Sequence, residues 1–316
     1  MLKKVLMNDR AHMSIEWYKR KRPHPERREG GLRIRGAALN KSLPEKPLVS
    51  IITVVYNCKK HVEEALTSVL NQTYENIEYI VIDGGSTDGT VDIIRKYDSR
   101  INYWMSEPDD GISDAFNKGI SVSHGEIIGL LNADDWYPPN HVEQGMKALQ
   151  HSEASFIFGN LLVHDASGAV LYKILGNPDY GRVIHNKMSE ICHPTALVKR
   201  AAYESVGLFD VQYCYAMDYE WFLRLHRAGG KGLYISEITV HMRIGGASDA
   251  FNTNALNEVR KISIQYGEAT YIADVLYLYR VMKRSAKHFL EKWAPWSLYH
   301  FLRKLVNPRY AGRMNH

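Results

Sequence analysis

Two acidic pairs are the residues of this chain whose type and spacing most directly suggest chemistry. Asp109 and Asp110 open the stretch DDGISDAFNKG, and Asp134 and Asp135 follow the apolar run IIGLL within the segment LNADD. A carboxylate at the end of a buried strand is unfavourable unless a cation or a proton compensates its charge. Strand alternation places Asn132 and Asp134 on one face, so LNADD offers the oxygen ligands that suit Mg²⁺ or Mn²⁺ shared with a diphosphate. The alternative is that the second pair caps the helix that follows.

Two single carboxylates and two histidines are further candidates. Asp83 in VIDGGSTDGT stands at a strand end beside two glycines; it either accepts hydrogen bonds from a nucleobase or forms an ordinary strand-to-helix turn. Asp218 in MDYEWFLRL is either a general base toward a hydroxyl or a helix cap. His193 in CHPT and His241 in VHMRIGG are isolated histidines, for which packing is the simpler interpretation. The turn GGSTDG does not have the order of a dinucleotide fingerprint, and the sequence contains no P-loop.

Alternating strand and helix patterns must position these side chains. The run PLVSIITVVYN is typical of a strand covered on both faces, and HVEEALTSVLNQT carries an apolar stripe at helical spacing. Repetition of this alternation to about residue 150 predicts an α/β fold with a parallel sheet, on which ligands collect at the carboxyl ends of the strands. The polar candidates follow those ends. Beyond residue 150 we expect a hairpin turning at 166–168, a helix ending at a Gly pair, and a further strand.

The charge distribution divides the chain into three parts: a basic segment over 1–46, an acidic folded domain over 47–266 and a basic helical tail over 267–316. The first carries 13 Lys/Arg against 5 Asp/Glu and the last 9 against 3, which leaves the middle at −9 within a net charge of +5. Basic ends beside an acidic body argue against a nucleic-acid binder and favour an anionic membrane surface. Three cysteines without C-x-x-C spacing indicate a reducing compartment. No apolar run is long enough for a membrane span or a signal peptide, so we expect a cytoplasmic protein.

The two basic ends differ in their predicted structure. The segment KRKRPHPERREGGLRIRG, residues 19–36, is rich in charge, Pro and Gly, which predicts a flexible or loosely attached segment. The tail predicts two helices separated at Pro295, with aromatic residues alternating with Lys and Arg. Such helices either lie in a membrane interface or pack on the catalytic domain or on a partner in a homodimer.

Read in chain order, the motifs VVYN, IDGGSTDGT, DDGISDAFNKG, GLLNADD, HPT, GLFD and MDYEWFLRL resemble the family 2 glycosyltransferases. The resemblance covers about residues 48–250 and is closest to the bacterial subgroup that builds exopolysaccharide, colanic-acid-like or O-antigen units. It implies the GT-A fold, in which a nucleotide-binding half abuts an acceptor-binding half. It also implies inverting transfer from a nucleoside-diphosphate sugar to a hydroxyl of a saccharide or lipid-linked saccharide, on the inner face of the cytoplasmic membrane.

The resemblance assigns roles to individual residues. Matched by motif, the donor pocket would comprise Thr53, Tyr56, Asn57, Asp83, Ser86, Asp110, Asn117, Lys118, Asn132 and Ala133. Asp134, with help from Asp135, would hold Mg²⁺ or Mn²⁺ on the diphosphate. Asp218 would be the catalytic base, and His193 would lie on the acceptor side. The role of His241 stays open between a supporting residue and a third metal ligand.

Two positions depart from the family's pattern. The D-x-D motif is N-A-D here, so Asn132 replaces a carboxylate and we expect weaker metal binding. The usual E-D before the base is M-D, so Met217 removes a charge that would raise the pKa of Asp218. Two alternatives to a glycosyltransferase remain. A sugar-phosphate nucleotidyltransferase needs a Gly-rich loop that VVYNCKKH does not have, and a non-catalytic binding module would be expected to have lost Asp134 or Asp218.

Overall fold

The computed structural model describes residues 14–38, 40–185, 190–245, 253–293 and 310–311. The strands within these ranges are β1 (Arg28–Gly30), β2 (Val49–Val55), β3 (Ile77–Asp83), β4 (Tyr103–Ser106), β5 (Ile127–Asn132), β6 (Phe156–His164), β7 (Val170–Ile174), β8 (Leu197–Lys199), β9 (Gly232–Arg243) and β10 (Tyr310–Ala311). The helices are α1 (Ile15–Arg20), α2 (Val62–Leu70), α3 (Thr90–Lys96), α4 (Ile112–Val122), α5 (His141–Gln150), α6 (Tyr180–Val183), α7 (Arg200–Val206), α8 (Met217–Arg227), α9 (Thr253–Gln265) and α10 (Thr270–Trp293), with a 3₁₀ turn at His193–Thr195.

All ten of these strands join one mixed sheet. Its order is β1-β4-β3-β2-β5-β8-β6-β7-β10, and β9 pairs with β6 off this path. The strands β4, β3, β2 and β5 are parallel, whereas β8 joins β5 in the antiparallel direction and β6 joins β8 likewise. The α/β prediction is confirmed, and the parallel part holds the polar strand ends together at one edge.

The local sequence explains the central elements. Every residue of β2 is buried, because its run VSIITVV is covered on both faces. The apolar stripe of α2 lies against one face, as its spacing predicts. On the other face, α4 lies directly on the sheet, since a Cβ built at Gly119 would come within 2.4 Å of Ile52 Cγ2. Two apolar clusters therefore form the core, one on each side of the sheet.

The basic segment before the sheet differs from its prediction. Residues 19–36 are not loosely attached: β1 pairs with β4, and α1 packs on α4. The Arg27 guanidinium makes hydrogen bonds to both carboxylate oxygens of Glu107. A charge-rich composition predicts disorder only when the charges have no partners. Here the partners are buried carboxylates far along the chain, which composition does not reveal.

The C-terminal tail is described only in part. It begins with α10, a 24-residue helix that packs on α9. The second predicted helix, beyond Pro295, lies outside the described residues. None of the described helices is both long enough and apolar enough to span a bilayer.

Candidate functional site

The carboxyl ends of the four parallel strands form a row of polar positions. The sheet register pairs Asp83 with Val55 on one side and with Ser106 on the other. Asn132, at the end of β5, pairs with Val54. Asp83 and Asn132 are far apart in the chain, yet they flank the same strand end. The structure thus brings together the candidates that the strand pattern placed at this edge.

Asp83 has one satisfied and one unsatisfied carboxylate oxygen. Its Oδ2 accepts hydrogen bonds from the amides of Gly85 (3.0 Å) and Ser86 (2.9 Å) and from the Ser106 hydroxyl (2.7 Å). Its Oδ1 is buried with no hydrogen-bond partner among the described residues. A buried acceptor without a donor is unfavourable, and a ligand N–H would satisfy it. The turn interpretation therefore explains only half of this side chain.

The turns after β2 and β3 are tied to each other. Asn57 has a φ of 47°; its amide donates to Ser86 Oγ (2.7 Å), and its Oδ1 accepts from the Thr87 amide (2.9 Å). Tyr56, just before it, is 66% exposed and can present its ring to a ligand. Thr53 differs from its predicted place in the pocket, because it is fully buried within β2 and bonds to the Tyr79 hydroxyl.

The loop after β4 covers the glycines beside Asp83. A Cβ at Gly84 would lie 2.5 Å from Asp109 Oδ2, so glycine is what allows this carboxylate to approach. Burial, and then the nearby Asp114 and Asp83 charges, raise the pKa of Asp109. The side chain of Asp110, the predicted pocket residue, is 82% exposed at the rim. Of the two neighbours, Asp109 is the one in contact with the strand ends.

Asn117 and Lys118 have protein partners in this structure. The Asn117 amide bonds to the backbone of Phe209 in both directions, at 2.8 and 2.9 Å, which ties α4 to the chain before α8. Lys118 Nζ lies 3.1 Å from Glu107 Oε1 and 3.1 Å from Asp114 Oδ2, and it donates to the Pro108 carbonyl. Both side chains therefore organise the walls of the site through contacts within the protein.

The N-A-D segment forms a small group of oxygen atoms after β5. Asp135 is buried, and its carboxylate accepts from Asn132 Nδ2 (3.3 Å) and from the Arg243 amide (3.2 Å). Burial and the neighbouring Asp134 charge raise the pKa of Asp135 well above its ordinary value. Asn132 Oδ1 is buried with no hydrogen-bond partner in the described part of the chain, and Ala133 is buried beside it.

These oxygens suit a divalent cation, since it would satisfy Asn132 Oδ1 and relieve the repulsion between the two carboxylates. Within the described ranges, no three His, Cys, Asp or Glu side chains are grouped to enclose a metal. A cation shared with a diphosphate needs only one or two protein ligands. The alternative role as a helix cap does not apply, because α5 begins after Asn140.

His241 belongs to an aromatic group beside this segment. Its ring stacks on Trp136 (centroids 4.9 Å apart, 8° between planes), and its Nδ1 lies 2.9 Å from His164 Nε2. Burial, followed by the His164 charge, lowers the pKa of His241 to about 4. The Arg243 guanidinium also lies over an aromatic ring of this group, 4.9 Å from the Trp136 centroid. Of the two roles left open, the contacts favour support of the N-A-D segment.

Asp218 and His193 lie together on the other half of the molecule. Asp218 is in the first turn of α8, and its Oδ1 accepts from the Tyr219 amide. Burial raises the pKa of Asp218, and the charge interaction with His193 opposes this rise. Burial lowers the pKa of His193, whose ring makes edge contacts with Phe116, Phe209 and Phe222. Burial thus disfavours both the ionised carboxylate of Asp218 and the protonated imidazole of His193, while the attraction between the two opposes both shifts.

A residue that the motifs did not indicate holds the chain just before α8. The Glu258 carboxylate, from α9, accepts from the amides of Cys214 (3.0 Å), Tyr215 (2.8 Å) and Ala216 (2.8 Å). The N-cap position itself is Ala216, so Asp218 lies inside the first turn of α8 and is not its N-cap. No local signal marks Glu258, because it lies about forty residues away on a different helix.

Helix α4 joins the two halves of the site. At its start, the Ser113 hydroxyl lies 2.7 Å from the Tyr213 carbonyl and 2.8 Å from Met217 Sδ. Further along, Phe116 contacts the His193 ring. The helix that follows the loop after β4 thus contacts both Met217 and His193, the neighbours of the Asp218 carboxylate.

A cleft in the described part of the chain lies away from the candidate residues. It has a volume of about 440 Å³ and is lined by residues that include Pro47, Ile127 and Lys199. These residues lie at the amino ends of the parallel strands, and the cleft contains none of the candidate residues. The candidate site is therefore defined by its side chains and not by this cavity.

Sequence comparisons place the chain among known proteins. The family model described as Glycosyl transferase family 2 matches residues 50–207. An uncharacterized glycosyltransferase of Rickettsia typhi is 31% identical over 224 residues, covering 68% of this chain and 69% of that protein. An uncharacterized glycosyltransferase of Haemophilus influenzae is 29% identical over 234 residues, covering 68% and 71%.

Solved structures agree at the level of the fold. A fragment of S. aureus TarS in complex with UDP-GlcNAc superposes with a TM-score of 0.56 at 16% identity, covering 79% of this chain and 77% of that one. The mannosyltransferase PcManGT from Pyrobaculum calidifontis, in complex with GDP-Man and Mn²⁺, gives 0.55 at 16% identity, covering 93% and 87%. The GT-A fold that the motifs implied is confirmed.

Proposed function

The chain belongs to glycosyltransferase family 2, and from that premise we propose that it is an inverting hexosyltransferase. The donor is a nucleoside-diphosphate sugar and the acceptor a hydroxyl of a saccharide, in the assembly of a cell-surface polysaccharide. The observation that carries the proposal is Asp218, a carboxylate with a raised pKa beside a neutral His193. Helix α4 connects this pair to the strand ends that hold Asp83 and Asn132.

In this mechanism the Asp218 carboxylate takes the proton of the acceptor hydroxyl. The acceptor oxygen attacks the anomeric carbon while the bond from that carbon to the diphosphate oxygen breaks, so the configuration inverts. A base with a pKa raised toward neutrality is well matched to this proton transfer. His193, neutral and packed among phenylalanine rings, orients the acceptor hydroxyl toward Asp218.

The donor nucleotide lies along the strand ends. Asp83 Oδ1, which has no donor among the described residues, accepts from the base N–H, and the exposed Tyr56 ring packs against the nucleotide. Asp134 and Asn132 Oδ1 would hold Mg²⁺ or Mn²⁺, and the Arg243 amide fixes the neighbouring Asp135. The cation, when bound, offsets the charge of the leaving diphosphate. The neighbours that bind UDP-GlcNAc and GDP-Man support a sugar-nucleotide donor.

The acceptor is proposed to be lipid-linked, at the cytoplasmic face of a membrane. The basic ends of the chain support contact with an anionic surface. An exposed apolar stripe on α10, comprising Tyr271, Val275, Leu278, Tyr279 and Met282, supports insertion into the interface.

The direct test is nucleotide release from a panel of UDP- and GDP-sugars with Mg²⁺ or Mn²⁺, for wild type and Asp218→Asn. We expect Asp218→Asn to lower kcat by about 10²–10⁴-fold, as for loss of a general base, while donor affinity is retained. A raised pKa means that ionised Asp218 lowers stability at neutral pH, so the Asn variant should be at least as stable as wild type. If a stably folded Asp218→Asn variant released nucleotide at the wild-type rate, the assignment of Asp218 as the base would be overturned.

A further inference from the structure

The N-terminal segment, residues 14–38, is in contact with the donor side of the site, although it lies outside the matched family region of 50–207. Its Arg27 forms a two-point ion pair with Glu107, at 2.6 and 3.0 Å, and the His24 amide donates to the same carboxylate at 3.1 Å. Glu107 is the residue directly after β4, and its own amide donates to the Asp83 carbonyl. Glu107 thus connects the N-terminal segment directly to the strand end that carries Asp83.

A second contact runs from α1 to the start of α4. The Tyr18 hydroxyl donates to Asp114 Oδ1 at 2.9 Å, and Lys21 Nζ lies 3.4 Å from the same oxygen. The other oxygen, Asp114 Oδ2, accepts from the Asp110 amide at 3.3 Å and from Lys118. Asp114 therefore transmits the position of α1 to the loop that covers Gly84.

The charges explain why these contacts are needed. Glu107 and Asp114 are both buried, and among the described residues of the catalytic domain the cation that contacts them is Lys118. One ammonium group cannot balance two buried carboxylates, and an uncompensated buried charge is strongly destabilising. Burial alone would raise the pKa of Glu107, but the hydrogen bonds from Arg27 and Lys118 outweigh it, so that this pKa falls to about 2. With both carboxylates paired, Lys118 can also hold the Pro108 carbonyl at 3.0 Å.

We propose that Arg27 and Tyr18 are positioning residues for the donor site: they fix Glu107 and Asp114, which in turn hold the loop 108–111 over the Asp83 strand end. The N-terminal segment is then part of the enzyme's donor-binding machinery. This inference rests on the proposed donor site at Asp83. Because the loop contacts the nucleotide side and not the base Asp218, its displacement weakens donor binding and leaves the chemical step largely unchanged.

The test compares two arginines of the same segment. Arg33 forms an ion pair with Glu78 that is as buried as the Arg27 pair, with side chains 15% and 2% exposed against 22% and 4%. Glu78 lies near the amino end of β3, away from the site. Arg33→Gln is therefore a matched control for the general loss of a buried ion pair.

We expect Arg27→Gln to raise the donor Kd and KM on the order of tenfold to a hundredfold, with a much smaller change in kcat at saturating donor. Arg27→Lys, which can make only one of the two contacts, should give an intermediate Kd. Arg33→Gln should lose a similar amount of stability with a wild-type Kd. If Arg27→Gln does not fold, Tyr18→Phe removes a single hydroxyl and should raise Kd by a smaller factor.

The proposal would be overturned if Arg27→Gln had the same donor Kd as the control Arg33→Gln. Where Tyr18→Phe is used in place of Arg27→Gln, the same comparison applies. A fall in kcat without a change in Kd would also overturn the proposal. Binding of the sugar nucleotide to wild type is measured first, by calorimetry. This measurement distinguishes failure of the proposed function from failure of the role proposed for the N-terminal segment. If wild type binds no sugar nucleotide, the proposed function itself fails; if wild type binds and the two variants behave alike, only the role of the segment fails.

Discussion

At the scale of single residues, burial raises the pKa of Asp218, as a carboxylate at position 217 would be expected to do. Met217 removes the adjacent carboxylate that would have raised the pKa of Asp218, yet burial raises it. Met217 packs instead against the Ser113 hydroxyl on α4. Met217 thus changes what raises the pKa of Asp218 and what holds its helix, and the raised pKa remains suited to the proposed role of Asp218 as general base.

The raised pKa predicts the pH dependence of the reaction. Asp218 accepts a proton only when ionised, so kcat should fall as pH falls through its pKa, and the acid limb should lie above the ordinary value of 3.8. The protonated form of His193 lowers the pKa of Asp218, and the Glu258 charge raises it. The measurement is kcat against pH at saturating donor and acceptor. An acid limb at or below 3.8 would contradict the assignment.

At the scale of elements, the site depends on helices that hold one another. The amide groups just before α8 donate to Glu258, which belongs to α9. Behind α8, Arg224 pairs with Glu220 and donates to the Leu208 carbonyl, so the helix is fixed on two sides. A carboxylate on such a helix keeps its position relative to the strand ends.

Substitution of Glu258 tests this arrangement. Glu258→Gln keeps the shape but weakens three charge-assisted hydrogen bonds, so we expect a loss of about 1–2 kcal/mol in the free energy of unfolding. It also removes a negative charge that raises the pKa of Asp218, so the acid limb of kcat should move to lower pH. Urea denaturation and the pH profile are the two measurements.

The control for this substitution is Glu237→Gln, which removes the same charge at an exposed position on β9. It should change the free energy of unfolding by no more than a few tenths of a kcal/mol. The acid limb of kcat should stay where it is in wild type. An acid limb that stays at its wild-type position in Glu258→Gln would show that Glu258 does not act on Asp218.

At the scale of the whole molecule, both charged ends are attached to the catalytic domain through α1, β1 and α10. The buried Ala273 anchors α10, and Arg260 on α9 pairs with Asp274. The opposite side of α10 exposes its apolar stripe. The helix is thus held on one side and presents apolar residues on the other, which is the arrangement expected of an interfacial helix.

Vesicle co-sedimentation tests the proposed membrane contact. The combined variant Tyr271→Ser, Leu278→Ser and Met282→Ser should reduce binding to anionic vesicles at least about tenfold, because each large apolar side chain contributes about 1.5–3 kcal/mol when buried. Binding of wild type should weaken with added salt, since part of it is electrostatic. Ile34→Ser changes a similarly exposed apolar residue elsewhere and should bind as wild type does. Equal binding by the combined variant would exclude the stripe as the contact.

Much of the fold could be predicted because local sequence determines it. The apolar runs and turn residues indicated strands and helices from β2 to β9 close to their observed bounds, and the ordered motifs implied the GT-A fold. Side-chain roles were less predictable. Thr53 and Asn117 match donor-site motifs, yet the structure buries one in the sheet and ties the other to Phe209. A motif gives the position of a residue in the chain but not the partner that its side chain finds.

The sequence by itself determined where carboxylates follow strands, since strand alternation and the parallel sheet bring those ends to one edge. Only the tertiary structure decided which charges compensate them. Arg27, about eighty residues before Glu107, and Glu258, about forty residues after Asp218, carry no local signal of their roles. Electrostatic pairing depends on distance in space, and burial decides its strength, so both become visible only when the chain is folded.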